Sequence, residues 1–262
     1  MNRIDQCFKS LKNRTAFIGY IMSGYPTIQD SLKIMKELPN HGVDIIELGI
    51  PFSEASAEGA TIQKASQIAI KNKCNLKEIF KITNKFRESN NSTPIVLMGY
   101  YNNILSYGEE QFIADCNKYG VDGVLLVDLP FEESKNFNKK AQNSNLAFIQ
   151  IVTPMTNEQR FKEISQYSSG FIYYISVNGV TGTQSASSES IINFIQNKQN
   201  LTNIPIVAGF GIKNKTQIQD LKNNVMGIVV GSAIINNIMI DSNNNIDMQH
   251  LLNYISELTK AL

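Results

Sequence analysis

The chain has 262 residues, with 24 Lys and Arg against 23 Asp and Glu, a net charge of +1, 42% hydrophobic residues, two His and three Cys. At roughly 150 residues per domain, that length fits one large domain or two small ones, and the apolar content separates it from disordered chains. The near-zero charge gives no electrostatic basis for a nucleic-acid or anionic-membrane partner, and the scattered Cys7, Cys74 and Cys116 form neither a disulfide framework nor a zinc-ligand spacing.

Ile4, Cys7, Phe8 and Leu11 recur at helical spacing, which predicts a short N-terminal helix packed on the body. The same segment has no apolar run of signal-peptide length, and no stretch approaches the ~18 apolar residues of a membrane span. A soluble, cytoplasmic protein is expected. Strand patterns then fall at residues 16–22, 43–50, 94–100, 121–127, 147–152, 170–177, 204–208 and 227–230. Amphipathic helical patterns lie between them at 28–38, 76–86, 109–118, 132–142, 158–166, 189–196 and 215–222, and a last one closes the chain near 251–262.

Alternating strands and helices imply parallel pairing through right-handed crossovers, and nearly continuous apolar strands imply that both sheet faces are covered. Eight such units predict a single (β/α)8 TIM barrel over residues 1–262, a fold that typically takes about 250 residues. A doubly wound open sheet usually has fewer strands and often carries GxGxxG after the first strand; this chain does not.

In such a barrel, chemistry gathers at the C-terminal ends of the strands. Gly209-Phe210-Gly211 and Gly231-Ser232 follow the seventh and eighth strands, where backbone N–H groups frequently bind phosphate. Ser232 opens an apolar stretch, 233–239, that reads as an extra short helix facing the anion, and Gly182 after the sixth strand offers a third wall. Tight turns alone would also explain these glycines.

Glu47 sits inside Ile-Ile-Glu-Leu-Gly-Ile, where an unpartnered carboxylate is costly to bury. Strand alternation aims Ile45, Glu47 and Gly49 at one face, and a low-dielectric interior would raise the Glu47 pKa until it serves as a general acid at neutral pH. A salt-bridged structural role is the alternative. Glu58, eleven residues on, is either a partner carboxylate or a solvated loop charge. Asp128, before Leu129-Pro130, is open between a helix cap, an acceptor supporting the site and a site residue.

These segments carry a resemblance. Glu47-Leu48-Gly49-Ile50-Pro51-Phe52-Ser53, Gly59 with Thr61-Ile62-Gln63, Leu97-Met98-Gly99-Tyr100-Tyr101-Asn102, Asp128-Leu129-Pro130, Gly179-Val180-Thr181-Gly182, Gly209-Phe210-Gly211 and Gly231-Ser232-Ala233 stand in order and at matching spacing. Over essentially the whole chain, the sequence resembles the alpha subunit of tryptophan synthase. The resemblance implies retro-aldol cleavage of indole-3-glycerol phosphate to indole and glyceraldehyde 3-phosphate, without a metal or organic cofactor. It implies Glu47 as acid and base and a second carboxylate, at Glu58, that engages the indole N–H. Phosphate would be held by Gly182, Gly211, Gly231 and Ser232, and indole surrounded by Tyr20, Met98, Tyr100, Ile151, Tyr173 and Phe210. Thr181 lies on the loop after the sixth strand. A beta subunit is the implied partner, in an alpha2beta2 complex, docked on the loop that includes Pro51 and Glu54.

The chain also departs from the family. Where the family usually reads Ser-Asp-Pro-x-Ala-Asp-Gly-Pro, this sequence has Ser53-Glu54-Ala55-Ser56-Ala57-Glu58-Gly59-Ala60. Glu58 keeps the charge of the second Asp but extends it by one methylene, and Ala55 and Ala60 replace prolines that would stiffen the loop. Two readings therefore stay open: an active lyase with reduced turnover, or a weakly active or non-catalytic subunit that regulates a beta subunit. Another phosphate-binding barrel enzyme is disfavoured by the Glu-Leu-Gly-x-Pro-Phe-Ser segment and by the lack of a Lys placed at a strand end for Schiff-base chemistry.

Overall fold

A computed structural model describes residues 2–12, 14–175, 187–209, 211–242 and 245–262. Strands β1 (Ala16–Met22), β2 (Ile45–Gly49), β3 (Ile95–Gly99), β4 (Gly123–Leu126), β5 (Ala147–Val152), β6 (Ile172–Ile175), β7 (Ile206–Gly209) and β8 (Gly227–Val230) pair in sequence order. All pairs are parallel, and β8 returns to β1 to close the barrel. Nearly every strand residue is buried, as expected for a sheet packed on side chains inside and helices outside.

Helix α1 (Arg3–Leu11) precedes the barrel and α2 (Ile28–Glu37) follows β1. Two helices each separate β2 from β3, α3 (Ala60–Lys71) and α4 (Leu76–Arg87), and β3 from β4, α5 (Tyr101–Tyr107) and α6 (Glu109–Tyr119). Then come α7 (Phe131–Asn143), α8 (Glu158–Tyr167), α9 (Ser188–Gln199), α10 (Lys215–Leu221), α11 (Ser232–Asn236) and α12 (Met248–Thr259). Many begin at a polar residue whose side chain accepts from an otherwise unpaired amide in the first turn: Asn2, Thr27, Asn75, Asn157, Ser187, Asn214 and Asp247. No helix among the described residues is long and apolar enough to cross a membrane.

Every strand expected from the sequence is present, several trimmed at their ends. Two helices were not expected. The body-facing residues of α3 are small (Ala65, Ser66 and Ala69), so its apolar period is weak, while short α5 buries only Ile104. The extra helix after β8 forms over Ser232–Asn236, shorter than the apolar stretch suggested.

The N-terminal helix closes the barrel floor. Ile4 is fully buried, and a Cβ on Gly123 would come within 2.9 Å of its Cδ1, so the bare backbone there makes room for the plug. Asp122 ties the floor together. Its Oδ1 meets Arg3 Nη1 at 2.8 Å, and its Oδ2 accepts from Arg87 Nη2 and from the Ile95 amide, both at 2.8 Å. Arg87 also donates to the carbonyls of Gly120 and Thr93 at 2.9 and 2.7 Å, so this buried ion pair has its polar atoms satisfied. Asp122→Ala strands a buried guanidinium and an amide, and is expected to cost about 3–5 kcal/mol in urea unfolding. Asp122→Asn keeps an acceptor and should cost less; equal losses would show that the acceptor contributes nothing.

Candidate active site

The opposite end of the barrel is built differently. Register places Tyr20 of β1 beside Glu47 of β2, and Glu47 beside Val96 of β3. The Tyr20 ring leans toward the strand ends across Gly49, where a Cβ would lie 2.3 Å from its hydroxyl. Tyr173 of β6 makes the same move over Gly209 of β7, where a Cβ would lie 2.2 Å from its Cε1. Two glycines thus open space inside the barrel mouth that two tyrosines fill.

Glu47 is 1% exposed, and neither carboxylate oxygen has a hydrogen-bond partner among the described residues. Burial, then the charge of Glu58, push its pKa up to about 8. Glu58 presents a buried Oε2 that likewise lacks a partner, and burial raises its pKa to about 7. Two coupled carboxylates therefore share the mouth, where a solvated loop charge had been an alternative for Glu58. The Tyr20 and Tyr173 phenols are held far above their usual pKa by burial first and by both carboxylates, and stay protonated.

The Glu58 loop is held from below by α3. Gln63 Nε2 donates to the carbonyls of Ala55 and Glu58 at 3.2 and 2.8 Å, and Ser66 Oγ both accepts from the Phe52 amide and donates to the Phe52 carbonyl at 2.8 Å. Tyr100 Oη accepts from the Ala57 amide at 3.1 Å, and its ring stacks on Phe52 at 4.8 Å. Gln63 and Ser66 were missed as positioning residues because α3 was missed. The spacing of Ile62, Ala65, Ser66 and Ala69 after Gly59 was the available signal.

On the phosphate side, Gly211 takes a φ of 79° after β7, and Gln217 Nε2 donates to its carbonyl at 3.4 Å. Gly231 lies against the Tyr20 ring and Ser232 starts α11. Thr61 of α3 bonds Asn236 of α11 at 3.1 Å, linking the carboxylate loop to the end of β8. Thr181, Gly182 and Phe210 lie outside the described residues.

Tyr100 is buried beside the loop, and Met98 and Ile151 are half-buried on β3 and β5. The exposed side chain of Asp128 accepts from the Tyr101 amide at 2.7 Å, at the start of α5, a contact that fits both the cap and the supporting-acceptor alternatives. Pro51 is buried and Glu54 exposed on the loop after β2. The histidines bond elsewhere, His41 to the Glu37 carbonyl and His250 to Asn237.

Fold and site together define a (β/α)8-barrel protein equipped for acid–base chemistry by two carboxylates in a desolvated mouth. The model of the tryptophan synthase alpha chain family matches residues 8–262. The tryptophan synthase alpha chain of Petrotoga mobilis is 43% identical over 262 residues, spanning 100% of this chain and 99% of the relative. The structure of tryptophan synthase subunit alpha from Legionella pneumophila superposes with a TM-score of 0.92 at 31% identity, covering 100% and 98% of the two chains. Tryptophan synthase from M. tuberculosis, in an aminoacrylate-bound form, matches with a TM-score of 0.87 at 25% identity, covering 100% and 99%. The chain belongs to the tryptophan synthase alpha chain family, whose reaction is the cleavage of indole-3-glycerol phosphate.

The raised Glu47 pKa carries a stability consequence. The folded state keeps the proton between the ordinary value of 4.5 and about 8, so the contribution is whole below 4.5 and is lost as pH rises through 8. Glu47→Gln, which cannot ionise, should therefore raise Tm over the parent more at pH 8 than at pH 5. Melting curves at the two pH values check this, and an equal gap would contradict the raised pKa.

Proposed function

We propose that this chain cleaves indole-3-glycerol phosphate with Glu47 as the proton-transferring group and Glu58 as the acceptor for the indole N–H. The observation that carries the assignment is the burial of Glu47 in the barrel mouth with both oxygens unpartnered. Expelling the ring directly would leave a poor carbanion. Protonation of indole C3 by neutral Glu47 gives an indoleninium, and Glu58 as a carboxylate accepts the N–H and stabilises the positive charge. The ionised Glu47 then takes the proton of the side-chain hydroxyl. The C–C bond breaks, its electron pair restores neutral indole, and the hydroxyl carbon becomes the aldehyde. Positioned proton transfer of this kind contributes about 10²–10⁴-fold.

The environments support this division. Burial raises both carboxylates, and Glu47, the more deeply buried and also facing the charge of Glu58, is the one assigned the proton at neutral pH, with Glu58 as the carboxylate. Indole would lie among Tyr20, Met98, Tyr100, Ile151, Tyr173 and Phe210. Amides of the loops at Gly182, Gly211, Gly231 and Ser232 would hold the phosphate, with Thr181 nearby. The proton transfers balance without an organic cofactor or metal. We further propose a cytoplasmic alpha2beta2 complex, with exposed Glu54 meeting a beta subunit and buried Pro51 shaping the loop beneath it.

Glu58 favours a second reading, a regulatory subunit with little turnover, because its carboxylate reaches one methylene further than Asp. A misplacement of about 1 Å can cost on the order of 10²-fold. Steady-state cleavage by the pure chain, with and without beta subunit, decides between them: saturable binding without turnover in both conditions removes the enzyme reading. Glu47→Gln is expected to abolish turnover while leaving binding of a non-cleavable indolyl-propyl phosphate intact, and retained activity would refute Glu47 as the acid. Glu58→Asp is expected to raise kcat; a fall would mean the loop held by Gln63 and Ser66 is already fitted to glutamate.

A further inference from the structure

The barrel mouth holds a third buried polar group without a hydrogen-bond partner among the described residues, the Tyr20 hydroxyl. The proposed reaction uses both carboxylates and gives this hydroxyl no role. Packing does not account for it, since phenylalanine would fill the same space without burying an unpaired polar atom. Its position is set by β1 register beside Glu47 and by the gap over Gly49, where the hydroxyl occupies the space a Cβ would need.

The ionisable groups facing this space are Glu47 from β2, Glu58 from the following loop, Tyr100 after β3 and Tyr173 from β6. Among the described residues, no cation acts on either carboxylate. Both carboxylates face the Tyr20 phenol, and each has a buried oxygen without a partner among the described residues. The Tyr100 hydroxyl already takes the Ala57 amide. A buried carboxylate that must be anionic to receive an N–H needs a further donor, because ionisation in a desolvated site is otherwise disfavoured.

We infer that Tyr20 is a positioning residue for Glu58: its hydroxyl donates to the ionised Glu58 carboxylate and holds this longer side chain where it meets the substrate N–H. This rests on the proposed role of Glu58. The phenol is suited to the task because it remains a donor over the whole working pH range. The bond forms when Glu58 loses its proton, so the two groups act as a pair during ionisation and not as a standing contact.

The test uses the full chain with 13C at the glutamate side-chain carboxyls, comparing the parent with Tyr20→Phe and assigning the Glu58 resonance with Glu58→Gln. Loss of a charge-assisted hydrogen bond should raise the Glu58 titration midpoint by about one pH unit. In the cleavage assay, Tyr20→Phe should lower kcat about tenfold with little change in KM. It should have almost no further effect in the Glu58→Gln background, where a packing role would still add. An unchanged Glu58 midpoint overturns the inference whatever happens to kcat. A raised midpoint in a chain that cleaves no substrate would leave the Tyr20–Glu58 bond standing and overturn the proposed function.

Discussion

Everything at the mouth of this barrel follows from placing a carboxylate where water does not reach. Glu47 is buried without a salt bridge or hydrogen bond among the described residues, and the fold tolerates it by keeping it protonated. A second carboxylate in the same space makes ionisation of the first harder still. That frustration is what suits the pair to proton transfer, since an acid with a pKa near neutrality both holds and releases its proton.

The two ends of the barrel treat buried charge in opposite ways. At the floor, Asp122 is surrounded by Arg3, Arg87 and the Ile95 amide, and Ile4 plugs the opening. At the mouth, Glu47, Glu58 and Tyr20 keep unpaired atoms. The satisfied end stabilises the fold and the unsatisfied end is left to bind, as expected where strands deliver chemistry at their C-terminal ends.

Between these ends, small residues set the geometry. Gly49 and Gly209 let two aromatic side chains lean into the mouth, and the small face of α3 lets that helix approach closely enough for Gln63 and Ser66 to hold the Glu58 loop. The same helix is bonded to α11 through Thr61 and Asn236. The loop is thereby tied, through α3, to the segment after β8, on the side proposed for phosphate.

Sequence alone determined the barrel. Strand and helix periods are local, and eight alternations leave few ways to cover every strand on both faces. It also singled out Glu47, because a lone carboxylate in an apolar run is conspicuous in one dimension. Tertiary structure decided the rest. Helix α3 was hidden because small buried residues give little hydrophobic contrast. Asp128 finds its partner across units, because the Tyr101 amide comes to it from another βα unit. Whether Glu58 is solvated or buried depends on neighbours that closure of the barrel brings together, and that burial is what raises its pKa. A side chain's identity is written in the chain, but its pKa belongs to its surroundings.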